Sequence, residues 1–284
     1  MAHSVFEGNI GRNAVSDHIV TELTEAFLLE TDRYASMPRI YEVIRCIGGV
    51  PLFAEDHIER LSESFRAKFG SDDIEQNRIM SDIRALILSE GIIDGNVKVV
   101  VTEDASFVFP SAFYYPPETT YARGVFVGIT EWERSRPNVK MIVDQYKKTI
   151  ADKLSSVGPM GSYFETLLKT EDGRITEGSR SNVFFVMDGE LYTSPDDMIL
   201  KGITRRYVLE AVETAGYKVR FECVRNTDIG RSVFAGFLSG TSIGVLPVAA
   251  VEDVEMDSAS NEMILAIRNE YNKLVSKYLD QHNI

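Results

Sequence analysis

Hydrophobic residues dominate Ile40–Cys46, a run rich in β-branched and aromatic side chains with polar residues only at Glu42 and Arg45. Gly48 and Gly49 follow as a turn signal, and Val50–Phe53 gives a second extended run. This pattern predicts a β-hairpin. A helix is then predicted between a capping Asp56 and a closing Gly70, because hydrophobic residues recur there at helical spacing, namely at Ile58, Leu61, Phe65 and Phe69.

The rest of the first half predicts one more helix and one more strand. The helix covers Asp73–Leu88 and is amphipathic, and the buried strand covers Val97–Thr102. Three prolines and five aromatic residues then crowd into Phe107–Glu118, which favours a linker over a regular element. We therefore expect two domains, a smaller α/β domain over residues 1–118 and a larger domain over 119–284.

The second half alternates short strands with helices. Strands are predicted at Val125–Ile129 and Val139–Val143, and an amphipathic helix follows as far as Val157. The further predicted elements are strands at Thr166–Leu168, Val183–Val186, Leu191–Thr193 and Val233–Ser239, and helices at Arg205–Ala215, capped by Thr204, and at Met263–Leu279. Both halves therefore indicate an α+β fold.

Charge and composition limit the kinds of molecule that the protein is expected to bind. The 284 residues carry 30 Lys and Arg against 43 Asp and Glu, a net charge of −13, which disfavours nucleic acid and anionic membrane surfaces. No apolar run approaches the roughly 18–20 residues of a membrane span, and the N-terminus lacks the features of a signal peptide. Cys46 and Cys223 are too few for a disulfide framework. We expect a soluble cytoplasmic protein.

The common catalytic motifs of metalloproteases, α/β-hydrolases and nucleotide-binding proteins do not occur in the sequence. The histidines are scattered along the chain, at His3, His18, His57 and His282, and are better explained as surface or structural residues. We therefore predict no metal site and no serine–histidine catalytic triad.

Three polar clusters interrupt the strands and helices of the second half. Glu177–Asn182 combines a carboxylate, hydroxyls and an amide between two strands, where a simple turn would need only Gly or Asn. Leu200–Arg205 places a glycine and Thr204 at the start of a helix, an arrangement suited to an anion. Ser239–Ser242 follows a strand directly. Together these clusters indicate a phosphorylated ligand.

The same segments, in the same order, resemble the class IV, fold-type IV pyridoxal-phosphate enzymes. The resemblance rests on ITEGSRSNVFFV, MILKGITRR and FLSGTSIGVLPV in the second half and on IYEVIRCIGGVPLFAEDHIERL in the first. This family includes branched-chain and D-amino-acid aminotransferases and 4-amino-4-deoxychorismate lyase. It implies a two-domain fold like that of D-amino-acid aminotransferase, and pyridoxal 5′-phosphate as cofactor.

The resemblance also implies which residues hold the cofactor. Glu177 matches the family carboxylate that faces the pyridine nitrogen, and Arg60 matches an arginine that pairs with the phosphate. Tyr41 matches a tyrosine that lines the substrate pocket near the cofactor-bound lysine. The other positions that match cofactor-binding segments are Ser181, Asn182, Leu200, Ile203, Thr204, Thr241 and Ser242.

Lys140 matches the family lysine that binds the cofactor. The match requires a short insertion at Pro159–Gly161 when the preceding helix is aligned on Gly158. Lys140 also falls in a hydrophobic predicted strand, where burial would lower the pKa of its amine toward that of a usable base. Lys147 and Lys148 are rivals, but both lie in the amphipathic helix and are better explained as solvated residues.

Two segments depart from the family and leave the substrate open. The glycines that commonly precede the YEV strand are absent from Thr31–Pro38, and the strand that often ends in Arg-Gly ends here in Thr102-Glu103-Asp104. In the family that strand end helps to bind the substrate carboxylate. We expect an aminotransferase acting on an amino acid, with branched-chain amino acids as one possibility, and a 2-oxo acid. The alternatives are a lyase of the aminodeoxychorismate type and a relative without catalytic activity.

Family members are usually homodimers, so the resemblance implies a homodimer here. The aromatic residues of the proline-rich segment agree with this, because interface cores favour Phe and Tyr. They are Phe107, Phe109, Phe113, Tyr114 and Tyr115. Packing of the same rings between two domains of one chain is the alternative.

Overall fold

A computed structural model describes residues 4–71 and 74–282. Its internal contacts divide the chain into two units. The first unit comprises the chain up to Tyr114, Val139–Ile142 and the segment from Lys277 onward; the second comprises Tyr115–Asn138 and Val143–Ser276. Both units mix helices and strands, which confirms the predicted α+β fold. Within the described residues, no helix is long and apolar enough to cross a membrane.

The first unit is built around a six-stranded antiparallel sheet in the order β2-β1-β6-β5-β3-β4. Its strands are β1 (Asn13–Ser16), β2 (Ile19–Glu22), β3 (Ile40–Ile47), β4 (Val50–Pro51), β5 (Gly95–Val101) and β6 (Ser106–Ser111). Its helices are α1 (Glu25–Thr31), a 3₁₀ helix (Asp32–Ser36), α2 (Ala54–Phe69) and α3 (Gln76–Glu90).

The predicted hairpin forms between β3 and β4, with Ile47 paired to Val50. Gly48 and Gly49 make the turn with φ of 58° and 81°, a backbone conformation that glycine adopts without a steric cost. Strand β3 alternates buried and half-buried residues along its whole length. It therefore presents two different faces, and this alternation decides where its polar side chains lie.

One face of this sheet packs on α2 and α3, where Ile44, Leu61 and Ile83 belong to one hydrophobic cluster. On the opposite face, Phe107 and Phe109 of β6 pack with Phe6 and Tyr34. The prediction of a linker beginning at Phe107 is therefore wrong. The proline-rich pattern misled because Pro110 and its aromatic neighbours belong to a buried strand, and the division between the units falls only at Tyr114.

Helix ends in the first unit differ from the prediction at the N-terminal side. Helix α2 begins at Ala54 after a left-handed Phe53, so Asp56 lies in the first turn and is not the cap. Gly70 ends the helix with φ of 79°, as predicted. Helix α3 begins at Gln76; the predicted start at Asp73 lies outside the described residues.

The second unit contains a nine-stranded mixed sheet and a separate two-stranded hairpin of β8 with β9. The strands are β7 (Val125–Glu131), β8 (Val157–Gly158), β9 (Gly161–Ser162), β10 (Glu165–Lys169), β11 (Ile175–Gly178), β12 (Asn182–Met187), β13 (Glu190–Thr193), β14 (Val219–Phe221), β15 (Ala235–Gly240), β16 (Gly244–Val251) and β17 (Val254–Glu255). The helices are α4 (Glu118–Arg123), α5 (Asp144–Ser155), α6 (Ile203–Thr214), a 3₁₀ helix (Asn226–Asp228) and α7 (Glu262–His282), whose last residues group with the first unit.

The segment predicted as a strand at Val139–Val143 forms only an isolated antiparallel bridge between Met141 and Ile40. Tyr41 N–H donates to the Lys140 carbonyl and Ile142 N–H donates to the Arg39 carbonyl, both at 3.2 Å. These contacts group residues 139–142 with the first unit, whereas the sequence analysis places Lys140 in the second domain. The pairing partner, β3, is distant in sequence, so local pattern gave no sign of it.

Candidate active site

In the first unit, the bridge to β3 places the Lys140 amine beside the ring of Tyr41. The ammonium nitrogen lies 5.0 Å from the ring centroid, and the Lys140 side chain is half-buried. The two rival lysines, Lys147 and Lys148, lie on α5 in the second unit. The structure therefore brings Lys140 and Tyr41 together and separates the rival lysines from this pair by unit.

Arg60 is buried in the first unit and donates to both oxygens of Glu42. Its Nε lies 2.7 Å from Oε1 and its Nη2 lies 2.6 Å from Oε2. His57, one turn earlier on α2, donates from Nδ1 to Oε2 of the same carboxylate at 2.8 Å. All three side chains are at least nine-tenths buried. Arg60 is thus held in one orientation by a bidentate ion pair.

Burial alone would raise the pKa of Glu42, but the charge of Arg60 and the hydrogen bonds from His57 and Arg60 outweigh it. The pKa of this carboxyl therefore lies well below its usual range. Burial lowers the pKa of His57, although Glu42 acts in the opposite direction. The trio accordingly consists of a carboxylate, a guanidinium and an imidazole that stays neutral at pH 7. Glu42 was not singled out from the sequence. Its position directly after Tyr41 in the YEV segment could have indicated it.

In the second unit, Glu177 lies on β11, and both oxygens of its buried carboxylate contact donor groups. Oε1 forms an ion pair with Arg134 Nε at 2.7 Å. Oε2 accepts the Leu200 backbone N–H at 3.2 Å and lies 3.4 Å from the Asn182 amide nitrogen. The same amide donates to the Leu200 carbonyl at 2.9 Å. Glu177, Asn182 and Leu200, all singled out from the sequence, therefore form one connected group.

Arg134 and Tyr146 complete this group, and the sequence analysis missed both. Arg134 lies 4.7 Å above the Tyr146 ring, and its Nη2 donates to the Tyr146 hydroxyl at 3.1 Å. The Tyr146 hydroxyl donates in turn to the Ser179 carbonyl at 2.6 Å. Arg134 stands in a polar stretch outside any strand or helix, where nothing in the pattern distinguishes it from Arg136.

Glu165 on β10 shapes the loop that follows Glu177. Its buried carboxylate accepts hydrogen bonds from the Ser179 hydroxyl, the Arg180 backbone N–H at 3.1 Å and the Ser181 hydroxyl at 3.1 Å. A Cβ on Gly178 would lie 2.1 Å from the Ser181 hydroxyl oxygen, so any side chain there would displace this hydroxyl. Ser181, predicted to contact the cofactor, donates its hydroxyl to Glu165 within this loop.

The start of α6 gathers donors suited to an anion. Gly202 precedes the helix in an extended conformation and is its cap, so Thr204 lies in the first turn, not at the cap as predicted. The Arg206 N–H is the first backbone donor of α6 that forms a helical hydrogen bond, and the Gly202 carbonyl accepts it. The N–H groups before it, including those of Ile203 and Thr204, have no partner within the helix. Arg205 anchors this turn through Asp196 at 2.7 Å and the Ser194 carbonyl at 2.9 Å.

Thr241 and Ser242 lie in the turn between β15 and β16, and both are half-buried. Just before them, the Ser239 hydroxyl is fully buried and has no hydrogen-bond partner in the described chain. The predicted site residues thus fall into two groups. Tyr41, Arg60 and Lys140 belong to the first unit and the remaining residues to the second. No group of three or more His, Cys, Asp or Glu suited to a metal occurs in residues 4–71 and 74–282.

Removing Arg134 would leave Glu177 as a buried charge without its cationic partner. We expect Arg134→Met to lower the free energy of unfolding by about 3 kcal/mol in urea denaturation of the apoprotein. The double variant Arg134→Met with Glu177→Gln should lose less free energy of unfolding, because no buried charge then remains at this position. The exposed Arg180, 3.9 Å from Glu165, is the matched control, and Arg180→Met should cost less than about 1 kcal/mol. Equal losses for the two arginine variants would contradict this account.

Comparison with known proteins agrees with the geometry. A family model described as amino-transferase class IV matches residues 39–251, most of the chain. The D-alanine aminotransferase of Bacillus licheniformis is 27% identical over 237 residues, covering 78% of this chain and 81% of that protein. A probable branched-chain-amino-acid aminotransferase of Rickettsia bellii is 26% identical over 260 residues, covering 83% and 86%.

The fold is similar to that of a branched-chain amino acid aminotransferase from Thermobaculum terrenum solved in its PLP form. The TM-score is 0.79 at 21% identity, with 97% of each chain covered. Two-domain fold-type IV architecture, predicted from the sequence, is thereby confirmed. The family match spans the β3 hairpin, the Lys140 segment, the Glu177 group and the start of α6. The chain belongs to the class IV aminotransferases, which are pyridoxal-phosphate-dependent enzymes.

Proposed function

We propose that this protein transfers an amino group between a branched-chain amino acid and a 2-oxo acid, with Lys140 as the residue that binds the cofactor. The observation that carries the proposal is the Glu177 group. A buried carboxylate accepts the N–H of Leu200, two residues before the Gly202 cap of a helix whose first N–H groups are available to an anion. The Rickettsia bellii relative supports the branched-chain substrate.

The residues present fit pyridoxal phosphate. A phosphate dianion needs several N–H and hydroxyl donors, which the start of α6 offers with the Thr204 hydroxyl. The buried Ser239 hydroxyl, which has no hydrogen-bond partner among residues 4–71 and 74–282, lies next to the turn that carries Thr241 and Ser242. Glu177 is the carboxylate suited to hold a pyridine nitrogen in its protonated form. Arg60 is proposed to support the phosphate, in the orientation that Glu42 imposes.

When bound, the cofactor supplies an electron sink for the electron pair left when the substrate Cα–H bond breaks. Lys140 would hold the cofactor, and its amine, when free, would accept the proton from the substrate Cα as a general base. Tyr41 flanks the Lys140 amine and limits where a substrate can approach it. Arg134 places a positive charge directly beside the Glu177 carboxylate and holds its orientation through their ion pair.

A lyase that expels pyruvate with the same lysine, and a relative without turnover, are the competing functions. The purified holoprotein should be mixed with L- and D-amino acids, with 2-oxoglutarate as acceptor, while cofactor absorbance and products are followed. Ping-pong transfer with an L-branched-chain donor supports the proposal, and preference for D-alanine would shift the substrate class. Pyruvate release from 4-amino-4-deoxychorismate without amino transfer would establish the lyase, and an unchanged spectrum throughout would indicate no turnover.

Lys140→Ala should remove the covalent attachment of the cofactor while the protein stays folded. Borohydride reduction of the holoenzyme, followed by mass spectrometry of its peptides, should place the cofactor on the Lys140 peptide. Lys147→Ala and Lys148→Ala serve as matched controls and should keep the adduct. A labelled peptide that contains Lys147 or Lys148, with Lys140 unmodified, would contradict the assignment.

We further propose that the protein is a cytoplasmic homodimer. Since Phe107 and Phe109 are buried in β6, support from the proline-rich segment now rests on Phe113 and Tyr114, which are 44% and 58% exposed. The edge strand β2 adds exposed Ile19 and Val20.

Light scattering at micromolar concentration tests the dimer. The expected mass is about twice the 31.9 kDa of one chain, because the exposed apolar side chains would be covered in a pair. Tyr114→Asp should shift the mass toward the monomer, whereas Glu63→Asp, a conservative change on α2, should leave it unchanged. A wild-type monomer that catalyses amino transfer would exclude the dimer as the active form.

A further inference from the structure

Arg39, the residue immediately before β3, is 4% exposed. Its carbonyl accepts the Ile142 N–H, but its guanidinium forms no hydrogen bond or ion pair with any residue in 4–71 or 74–282. None of the guanidinium nitrogens of Arg39 is fully buried, so each of them keeps some contact with solvent. The buried arginines Arg60 and Arg205, in contrast, donate to carboxylates.

A buried guanidinium without a partner is costly for the folded protein. The group cannot be neutralised by losing a proton at ordinary pH, so burial removes water from a permanent charge. No hydrogen bond or ion pair from residues 4–71 or 74–282 offsets this cost. An anion from outside the protein could accept hydrogen bonds from two of the guanidinium N–H groups and neutralise the charge, and the remaining solvent contact leaves the group accessible.

The bridge between Ile40 and Met141 fixes which way Arg39 points. Side chains alternate along paired strands, and those of directly paired residues share a face. Ile40 and Met141 both pack into the hydrophobic cluster under α2 and α3. Arg39 and Tyr41 therefore lie on the opposite face, together with Lys140. The contact between the Lys140 amine and the Tyr41 ring agrees with this assignment.

We propose that Arg39 binds a carboxylate of the substrate, the amino acid in one half-reaction and the 2-oxo acid in the other. The planar guanidinium can bind a carboxylate in a bidentate manner, and it shares a strand face with the amine that meets the substrate. The turn after β5 offers no alternative cation, since Thr102 bonds to its own turn and is followed by Glu103 and Asp104. This inference rests on the proposed role of Lys140.

Binding of acids that cannot react tests Arg39 without relying on turnover. The affinity of the holoenzyme for propionate, for glutarate and for the neutral propionamide can be measured by isothermal titration calorimetry. Arg39→Gln should bind the two acids 10- to 100-fold more weakly than the wild type does, and should bind the amide equally well. Arg39→Lys keeps the positive charge but lacks the planar guanidinium. Its affinity for the acids should therefore lie between those of the wild type and of Arg39→Gln. Arg84→Gln, an exposed arginine on α3, is the matched control and should bind like the wild type.

Steady-state kinetics then identifies which carboxylate is bound. If Arg39 holds the α-carboxylate, Arg39→Gln should raise KM for alanine, leucine and glutamate alike, with kcat changed far less. If it holds a distal carboxylate, only glutamate and 2-oxoglutarate should be affected. Unchanged affinity for every acid, in a variant that binds the cofactor normally, would overturn the proposal whether or not the enzyme transfers amino groups.

Thermal unfolding separates a binding role from a structural one. Because Arg39→Gln removes a buried charge without a partner, its melting temperature should equal or exceed that of the wild type. A lower melting temperature, together with equal loss of affinity for acids and for the neutral amide, would show that Arg39 only supports the fold and would refute the proposal.

Discussion

The buried carboxylate of Glu177 constrains the second unit, because the water it loses on folding has to be replaced by donors of the protein. Arg134, Asn182 and the Leu200 N–H supply them. Through Leu200, the same carboxylate fixes the segment that enters α6. The loop after β11 is fixed independently by Glu165, which occupies the hydroxyls of Ser179 and Ser181. The polar density of this segment therefore serves two carboxylates: Glu165 organises the loop, and Glu177 is the one proposed to face the cofactor.

Two buried arginines of the first unit show how differently one charge can be treated. Arg60 faces the carboxylate of Glu42, whose pKa it holds well below the usual range, and His57 completes the shell. Arg39 is equally buried but has no such partner among the residues described. Paired charges inside a protein fix orientation with little net effect on stability, whereas an unpaired one lowers it. This difference between the two arginines is the reason for proposing that Arg39 binds an anion from outside the chain.

The elements that the sequence predicts well are those specified by local chemistry. The β3–β4 hairpin follows from its two glycines, and the end of α2 follows from Gly70. The elements that it misses depend on distant partners. Strand β6 is assembled by pairing with β5 and β1, which overrides the signal of Pro110. Arg134 has no pattern of its own and is recognisable only beside Glu177. The candidate site residues come from the resemblance, and the predicted domain bounds place Tyr41 and Arg60 in the first part of the chain, as the structure does. Only the grouping of Lys140 with them could not be predicted, because it depends on the bridge to β3.

Strand β3 connects these observations, since its alternation sends neighbouring side chains to opposite faces. Glu42 points toward α2, where Arg60 and His57 meet it, while Arg39 and Tyr41 point to the face that carries Lys140. A shift of one residue in the pairing of β3 would exchange the two sets: the carboxylate would face the amine, and Arg39 would enter the hydrophobic cluster. The apolar residues Ile40 and Ile44 prevent this shift, because it would expel them from the core. Hydrophobic packing on one face thus determines the chemistry presented on the other.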